Sequence, residues 1–230
     1  MAHPVIDKAI EEKRAFLTLR ESFELLESYE LPVVNYVYIT SKEELPKVHS
    51  LSFPVVLKLD SPDIVHKTEF GAVKTGISSA LELEKAIDEM TAKVHEKIPG
   101  VRINGFLIQE MVRQAHEVIV GGLNDSQFGP VIAFGIGGIL VEALKDVVFD
   151  IAPVSREQAL DLIRRIKGYR ILEGYRGLPK ANIELLADVI SRASQMFAQL
   201  SSSVSEMDLN PIFVSSDWIK IADARFKLNI

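Results

Sequence analysis

An α+β fold is the prediction for this chain, and three features make it. Apolar runs of strand length, rich in Val, Ile and aromatic residues, fall in neighbouring pairs joined by short polar connections. Amphipathic stretches with helical spacing lie between those pairs. A hydrophobic content of 47% over 230 residues can build a sizeable core, in one large domain or two small lobes.

Residues 5–30 read as helical, with Phe23, Leu25, Leu26 and Tyr29 recurring among Glu and Ser until Leu31-Pro32 ends the pattern. PVVNYVYI (32–39) is rich in β-branched and aromatic residues and reads as a strand. SKEE after it has the Ser-x-x-Glu form of a capping box, opening a helix that Pro46 disturbs early. FPVVLKLD (53–60) and GAVKTGI (71–77) are predicted strands, joined in hairpin fashion by SPDIVHKTEF. In residues 79–98, Leu83, Ile87, Met90 and Val94 form one stripe with Lys and Glu opposite, which predicts a helix.

GFLIQEMV (105–112) and HEVIVGGL (116–123) come next as strands. GPVIAFGIGGILVEAL (129–144) begins as a buried strand and turns glycine-rich. Residues 155–166 and 182–200 are amphipathic helices capped by Ser155 and Asn182. SEMDLNPIFV (205–214) and DWIKIADARF (217–226) close the sequence as two apolar runs about a Ser-Ser-Asp turn.

Composition excludes several classes of function. A net charge of -6 and the absence of a Lys/Arg run argue against a surface that follows a nucleic-acid backbone. With no cysteine there is no disulfide, thiolate metal site or cysteine nucleophile. The N-terminus lacks an apolar core of signal-peptide length, and the longest uncharged stretch, Ser126 to Val141, is broken by Pro130 and four glycines. A cytoplasmic protein without a membrane partner is expected.

Several residues are candidates for chemistry. Lys58 sits in an apolar strand and either faces an anion or snorkels to water from a sheet edge. Asp208 and Asn210 alternate along one strand and so share a face, and Asp223 on the next run can come opposite them. These three oxygen donors suit Mg2+ with a nucleotide, or else simply end a strand before Pro211. The glycines of FGIGGI offer N–H groups to phosphate without matching a P-loop or a dinucleotide fingerprint, and a structural turn competes with that reading. His66 lies on a connection between strands, as a phosphoryl carrier requires, with Lys67 to neutralise phosphate and Glu69 to orient the ring. A solvated loop histidine is the alternative, and no other histidine has zinc-ligand spacing to it.

In combination, PVVLKLDSPDIVHKTEFGAVKTGI, FLIQEMVRQAHEVIVGGLND, FGPVIAFGIGGILVEALKDVVF and EMDLNPIFV with IADARF resemble the β subunits of NDP-forming acyl-CoA synthetases. The likeness is to ADP-forming acetyl-CoA synthetase in particular and to the succinyl-CoA synthetase β chain more distantly, and it runs from about Glu21 to the end. It implies an ATP-grasp fold of two α+β lobes with nucleotide between them: an N-terminal helix over 1–22 packing with the larger lobe, a smaller lobe over 23–110 and a larger one over 111–230.

By the same resemblance Lys58 holds nucleotide phosphates, the backbone of Glu110, Met111 and Val112 meets adenine, and Glu117 faces the ribose hydroxyls. Asn210 and Asp223 match Mg2+ ligands with Asp208 beside them, Arg225 lies near the phosphates, and His66 is the histidine that is phosphorylated. ATP/ADP and Mg2+ are the implied cofactors, and a CoA-binding α subunit in an α2β2 heterotetramer is the implied partner. Two departures from the family pattern are Ala72, where a second glycine often follows Gly71, and Pro46 in a helix that relatives keep regular. Two other readings are a different ATP-grasp ligase that activates a carboxylate as an acyl phosphate, and a nucleotide-binding subunit without chemistry; the joint presence of Lys58, His66, Asn210 and Asp223 speaks against the latter.

Overall fold

The structure is a computed structural model describing residues 3–64, 67–138, 146–174 and 179–230. Its elements are α1 (Pro4–Glu11), α2 (Leu19–Ser28), β1 (Tyr36–Ile39), a 3-10 helix (Lys42–Ser50), β2 (Val55–Asp60), β3 (Val73–Ile77), α3 (Ala80–Lys97), β4 (Gly105–Glu110), β5 (His116–Asp125), β6 (Gly129–Ile136) and β7 (Val147–Ile151). After these come α4 (Arg156–Arg165), α5 (Tyr169–Leu172), α6 (Ile183–Leu200), β8 (Val204–Val214), β9 (Ile219–Ile221) and β10 (Ala224–Leu228). The chain divides into a smaller unit, residues 34–112 with 18–20, and a larger unit, residues 1–17, 21–33 and 113–230. Residues 23–33 thus group with the larger unit, although the resemblance puts them in the smaller lobe.

In the smaller unit, four antiparallel strands run in the order β1-β4-β2-β3. Strand β2 pairs with both β3 and β4, so its Leu57 and Leu59 have neighbours on each side and bury against Leu83, Ile87 and Met90 of α3. Ser79 caps α3 by accepting from the Glu82 N–H at 3.2 Å, and the predicted stripe is the buried face. Asp60 closes the end of β2: one carboxylate oxygen accepts from the Leu19 N–H at 2.8 Å, and the other accepts from the Tyr38 hydroxyl at 3.1 Å. Burial first, and the neighbouring Asp60 charge second, push the Tyr38 hydroxyl well above its ordinary pKa.

The larger unit is built on an antiparallel sheet ordered β10-β8-β5-β6-β7, with β9 pairing the far half of β8. Helices α4 and α6 cover one face, over Val118, Val120, Ile132 and Phe134. Packing there is close enough that a Cβ on Gly122 would lie 2.8 Å from the Phe197 ring, so only glycine fits beneath α6. The N-terminal segment joins this unit through bridges between Phe16 and Lys227 and between Val33 and Ile221. Arg14 and Glu21, both buried, meet in a two-pronged ion pair at 2.7 and 2.8 Å.

Four sequence expectations are corrected. The helix expected over 5–30 is two helices, because Lys13 takes a positive φ of 55° and ends the first. No capping bond forms at Ser41; Glu44 instead accepts from the Thr40 N–H and hydroxyl, and with Pro46 inside it the segment winds as a 3-10 helix. Lys58 lies on an inner strand and is only 5% exposed, which rules out an edge lysine. DWIKIADARF is two strands, β9 and β10, with Asp223 at the break between them. Strand β7 was not anticipated.

Candidate functional site

The candidate residues divide between the two units. In the smaller unit, Leu57 and Leu59 enter the core, so Lys58 and Asp60 alternate to the other face of β2. Glu110 ends β4, where its N–H donates to the Asn35 carbonyl at 3.0 Å and its carboxylate accepts from the Asn35 N–H at 2.7 Å. That double clasp fixes the point at which Met111 and Val112 leave the strand. His66 lies outside the described residues, as does most of the glycine-rich segment after Gly138.

The exit of the His66 loop is well anchored. Glu69 is exposed, its carbonyl accepts from the Lys97 ammonium at 2.7 Å, and Phe70 packs against the core. Gly71 holds a positive φ of 71°, and Ala72 is fully buried with its N–H bonded to the Lys67 carbonyl at 2.8 Å. The methyl group that departs from the family pattern therefore fills core space and pins this end of the loop.

In the larger unit the open face of the sheet gathers four candidates. Arg225 on β10 stands opposite Asp208 on β8 with 4.0 Å between guanidinium and carboxylate. Two residues along, the Asn210 N–H donates to the Asp223 carbonyl at 3.2 Å, so Asn210 and Asp223 are also neighbours. Met207 and Leu209 bury on the helix side, and the alternation leaves Asp208 and Asn210 on the open side. Glu117 is exposed on β5; its carbonyl accepts from the Gly137 N–H at 2.6 Å, and a Cβ on Gly138 would lie 3.1 Å from its carboxylate. Gly137 and Gly138 of FGIGGI are thus packed against Glu117.

Among the described residues, no three His, Cys, Asp or Glu side chains form a metal cage. Two carboxylates and one amide oxygen are what this face supplies, a set that fits Mg2+ arriving with a phosphate chain rather than a resident ion. Beside Asp208 and Arg225 the same face sinks into a concavity of about 520 Å³, floored by Gly121 and Ala133 and walled by Leu123, Phe128 and Phe149.

Sequence reasoning missed two supporting carboxylates. Asp146, buried at the start of β7, accepts the Lys167 and Gly168 N–H groups at 2.9 and 2.6 Å and so caps the turn into α5. Asp60 could have been found, since it alternates with Lys58 in VVLKLD and an acid in an apolar strand needs partners.

Two antiparallel sheets with helices on one side, and an oxygen-and-arginine cluster on an open sheet face, define an ATP-grasp protein. The ATP-grasp domain family matches residues 8–228. The β subunit of acetate–CoA ligase [ADP-forming] I of Pyrococcus furiosus is 40% identical over 228 residues, spanning 97% of that subunit and 99% of this chain. The acetate–CoA ligase [ADP-forming] I of Archaeoglobus fulgidus is also 40% identical over 228 residues, but the match spans only 33% of its length. The solved Ca. Korarchaeum cryptofilum dinucleotide-forming acetyl-coenzyme A synthetase 1, in complex with coenzyme A, Ca-AMPCP and HgCl+, superposes with a TM-score of 0.92 at 38% identity, covering 99% of that polypeptide and 98% of this one. The chain therefore belongs to the β-subunit family of the ADP-forming acetate–CoA ligases, within the ATP-grasp proteins.

Proposed function

We propose that this chain is the nucleotide-binding β subunit of an ADP-forming acyl-CoA synthetase, working with a CoA-binding α subunit as an α2β2 assembly in acyl-CoA + ADP + phosphate ⇌ acid + CoA + ATP. The observation that carries the reading is the placement of Asp208, Asn210, Asp223 and Arg225 on one open sheet face. Support comes from the nearly full-length likeness to the P. furiosus subunit, and from a K. cryptofilum relative solved with a phosphorylated phosphohistidine segment.

In this reading the strand end at Glu110, Met111 and Val112 presents backbone groups to adenine, and Glu117 accepts from the ribose hydroxyls. Lys58 and Arg225 bring positive charge to the phosphate oxygens, where transfer needs positioning and charge neutralisation more than covalent help. Asn210 and Asp223, with Asp208 beside them, hold the Mg2+ of the nucleotide, which when bound supplies Lewis-acid neutralisation of the phosphates. A neutral nitrogen of His66, oriented by Glu69, forms a P–N bond as the P–N bond to a histidine of the α subunit breaks, so that the phosphoryl group passes from one imidazole to the other. The P–N bond to His66 then breaks as a P–O bond forms to the terminal oxygen of ADP.

Incubating the protein with Mg2+ and γ-labelled ATP tests this directly. An acid-labile, base-stable label on the wild type and none on His66→Asn, with ADP affinity held within about twofold, is the expected result. Equal labelling of the variant would refute the carrier role.

A further inference from the structure

The open face of the larger unit carries a second feature beyond the oxygen-and-arginine cluster. Register across the sheet sets out two parallel rows: Arg225, Asp208, Gly121, Ala133, Phe149, and next to it Lys227, Glu206, Leu123, Val131, Ile151. Each row has an ion pair at the β10–β8 end, with Lys227 to Glu206 at 2.6 Å and Arg225 to Asp208 at 4.0 Å. Each is apolar from β5 to β7.

Leu123, Phe149 and Ile151 are 52%, 59% and 55% exposed, and Phe128 at the β5–β6 turn is 63% exposed. Of the seven large hydrophobic residues exposed among the described residues, Leu123, Phe128 and Phe149 line the trough over Gly121 and Ala133, and Ile151 stands opposite Val131 at its rim. Such clustering marks an interaction surface, whereas scattered exposed hydrophobics do not.

The manner of docking is restricted by the edge of the sheet. A strand at the end of the sheet order, as β7 is among the described residues, ordinarily offers its backbone for strand addition. Here the Phe149 carbonyl accepts from the Arg165 guanidinium at 2.7 Å, and the Ile151 N–H donates to the Asp150 carboxylate at 2.9 Å. With two of that border's backbone groups taken, strand addition there has bonds to displace, whereas the side-chain face, with its trough and its four exposed hydrophobics, does not.

We infer that this trough and its apolar rim seat the CoA-binding polypeptide of the ligase, through apolar side chains of that polypeptide set between Leu123, Phe128, Phe149 and Ile151. The inference rests on the proposed β-subunit function, and two observations choose the occupant. The sequence corresponds to 33% of the longer Archaeoglobus fulgidus ligase and to nearly all of the separate P. furiosus subunit, so in a split enzyme a surface of this third must hold the remainder without a tether. The apolar row also shares its strands with Asp208 and Arg225, so a partner seated there lies on the same sheet face as the cluster to which the phosphoryl group is delivered.

The test uses the full-length protein with the CoA-binding polypeptide that co-purifies with it, identified by its CoA binding, with association measured by sedimentation and ADP affinity measured in parallel. Phe128→Ser with Phe149→Ser should weaken association about a hundredfold, and Leu123→Thr about tenfold, with melting temperature and Mg-ADP affinity unchanged. Arg165→Ala, and Leu81→Ser on α3 of the smaller unit, should leave association unchanged. Wild-type association by the double variant would overturn the inference, as would a wild-type protein that binds Mg-ADP and not the partner, or a self-association of the isolated protein that the same substitutions abolish. A wild-type protein that binds the partner but not Mg-ADP would instead sink the nucleotide-site reading.

Discussion

Arg225 and Asp208 face one another across the β10–β8 ladder, their charged groups 4.0 Å apart on the open face of the sheet. A guanidinium held there can turn toward phosphate while the carboxylate keeps it in place. Arg225→Met should therefore lower Mg-ADP affinity by roughly tenfold to a hundredfold, the worth of a charge-assisted hydrogen bond. Isothermal titration of the two proteins checks this, and unchanged affinity would remove Arg225 from the phosphate site.

Asn210 and Asp223 are adjacent through a backbone hydrogen bond of 3.2 Å, which sets Asn210 of β8 beside the break between β9 and β10. Asp223→Asn should raise the Mg2+ concentration for half-maximal nucleotide binding by about an order of magnitude while leaving metal-free ADP binding nearly intact. Magnesium titrations with a fluorescent ADP analogue separate the two effects. An equal loss with and without the metal would contradict the assignment.

Gly122 lies under Phe197 with no room for a Cβ. Gly122→Ala should destabilise the larger unit by about 1–3 kcal/mol, lowering Tm by roughly 3–10 °C. Phe197→Leu in the same protein should recover part of the loss, because it vacates the space the methyl group needs. Calorimetry of the single and double variants decides this.

Asp63 gives a pH dependence whose sign is fixed. The Arg102 side chain first and its backbone N–H second, at 2.8 Å each, hold the Asp63 carboxyl below the ordinary range. A depressed folded-state pKa adds stability that is complete above the unfolded value and is lost as pH falls through the folded one. Arg102→Ala keeps the backbone donor but should move the Asp63 titration upward and start acid unfolding at slightly higher pH. The change is small, as for any exposed pair, and carbon-detected NMR of Asp63 reads it directly.

Much of the fold was legible because its signals are local. The stripe Leu83, Ile87, Met90 and Val94 is the buried face of α3, and the caps at Ser155 and Asn182 accept from the Gln158 and Leu185 N–H groups. The break at Lys13 was not legible, since neither glycine nor proline marks it. Strand β7 was hidden because Val147, Val148 and Phe149 form a short run cut by Asp150. Burial of Lys58 depends on strand order, which no single strand's sequence records. In the candidate site, alternation alone puts Asp208 and Asn210 on one face, whereas the nucleotide roles of Lys58, Glu110 and Glu117 entered only through family resemblance.

The two bonds on the border of β7 bear on how this polypeptide survives synthesis. A copy made ahead of its companion displays greasy side chains, yet its outermost backbone has a guanidinium and a carboxylate already in place. Copies meeting in that interval can touch and separate, and strand addition along β7 has first to displace those two bonds.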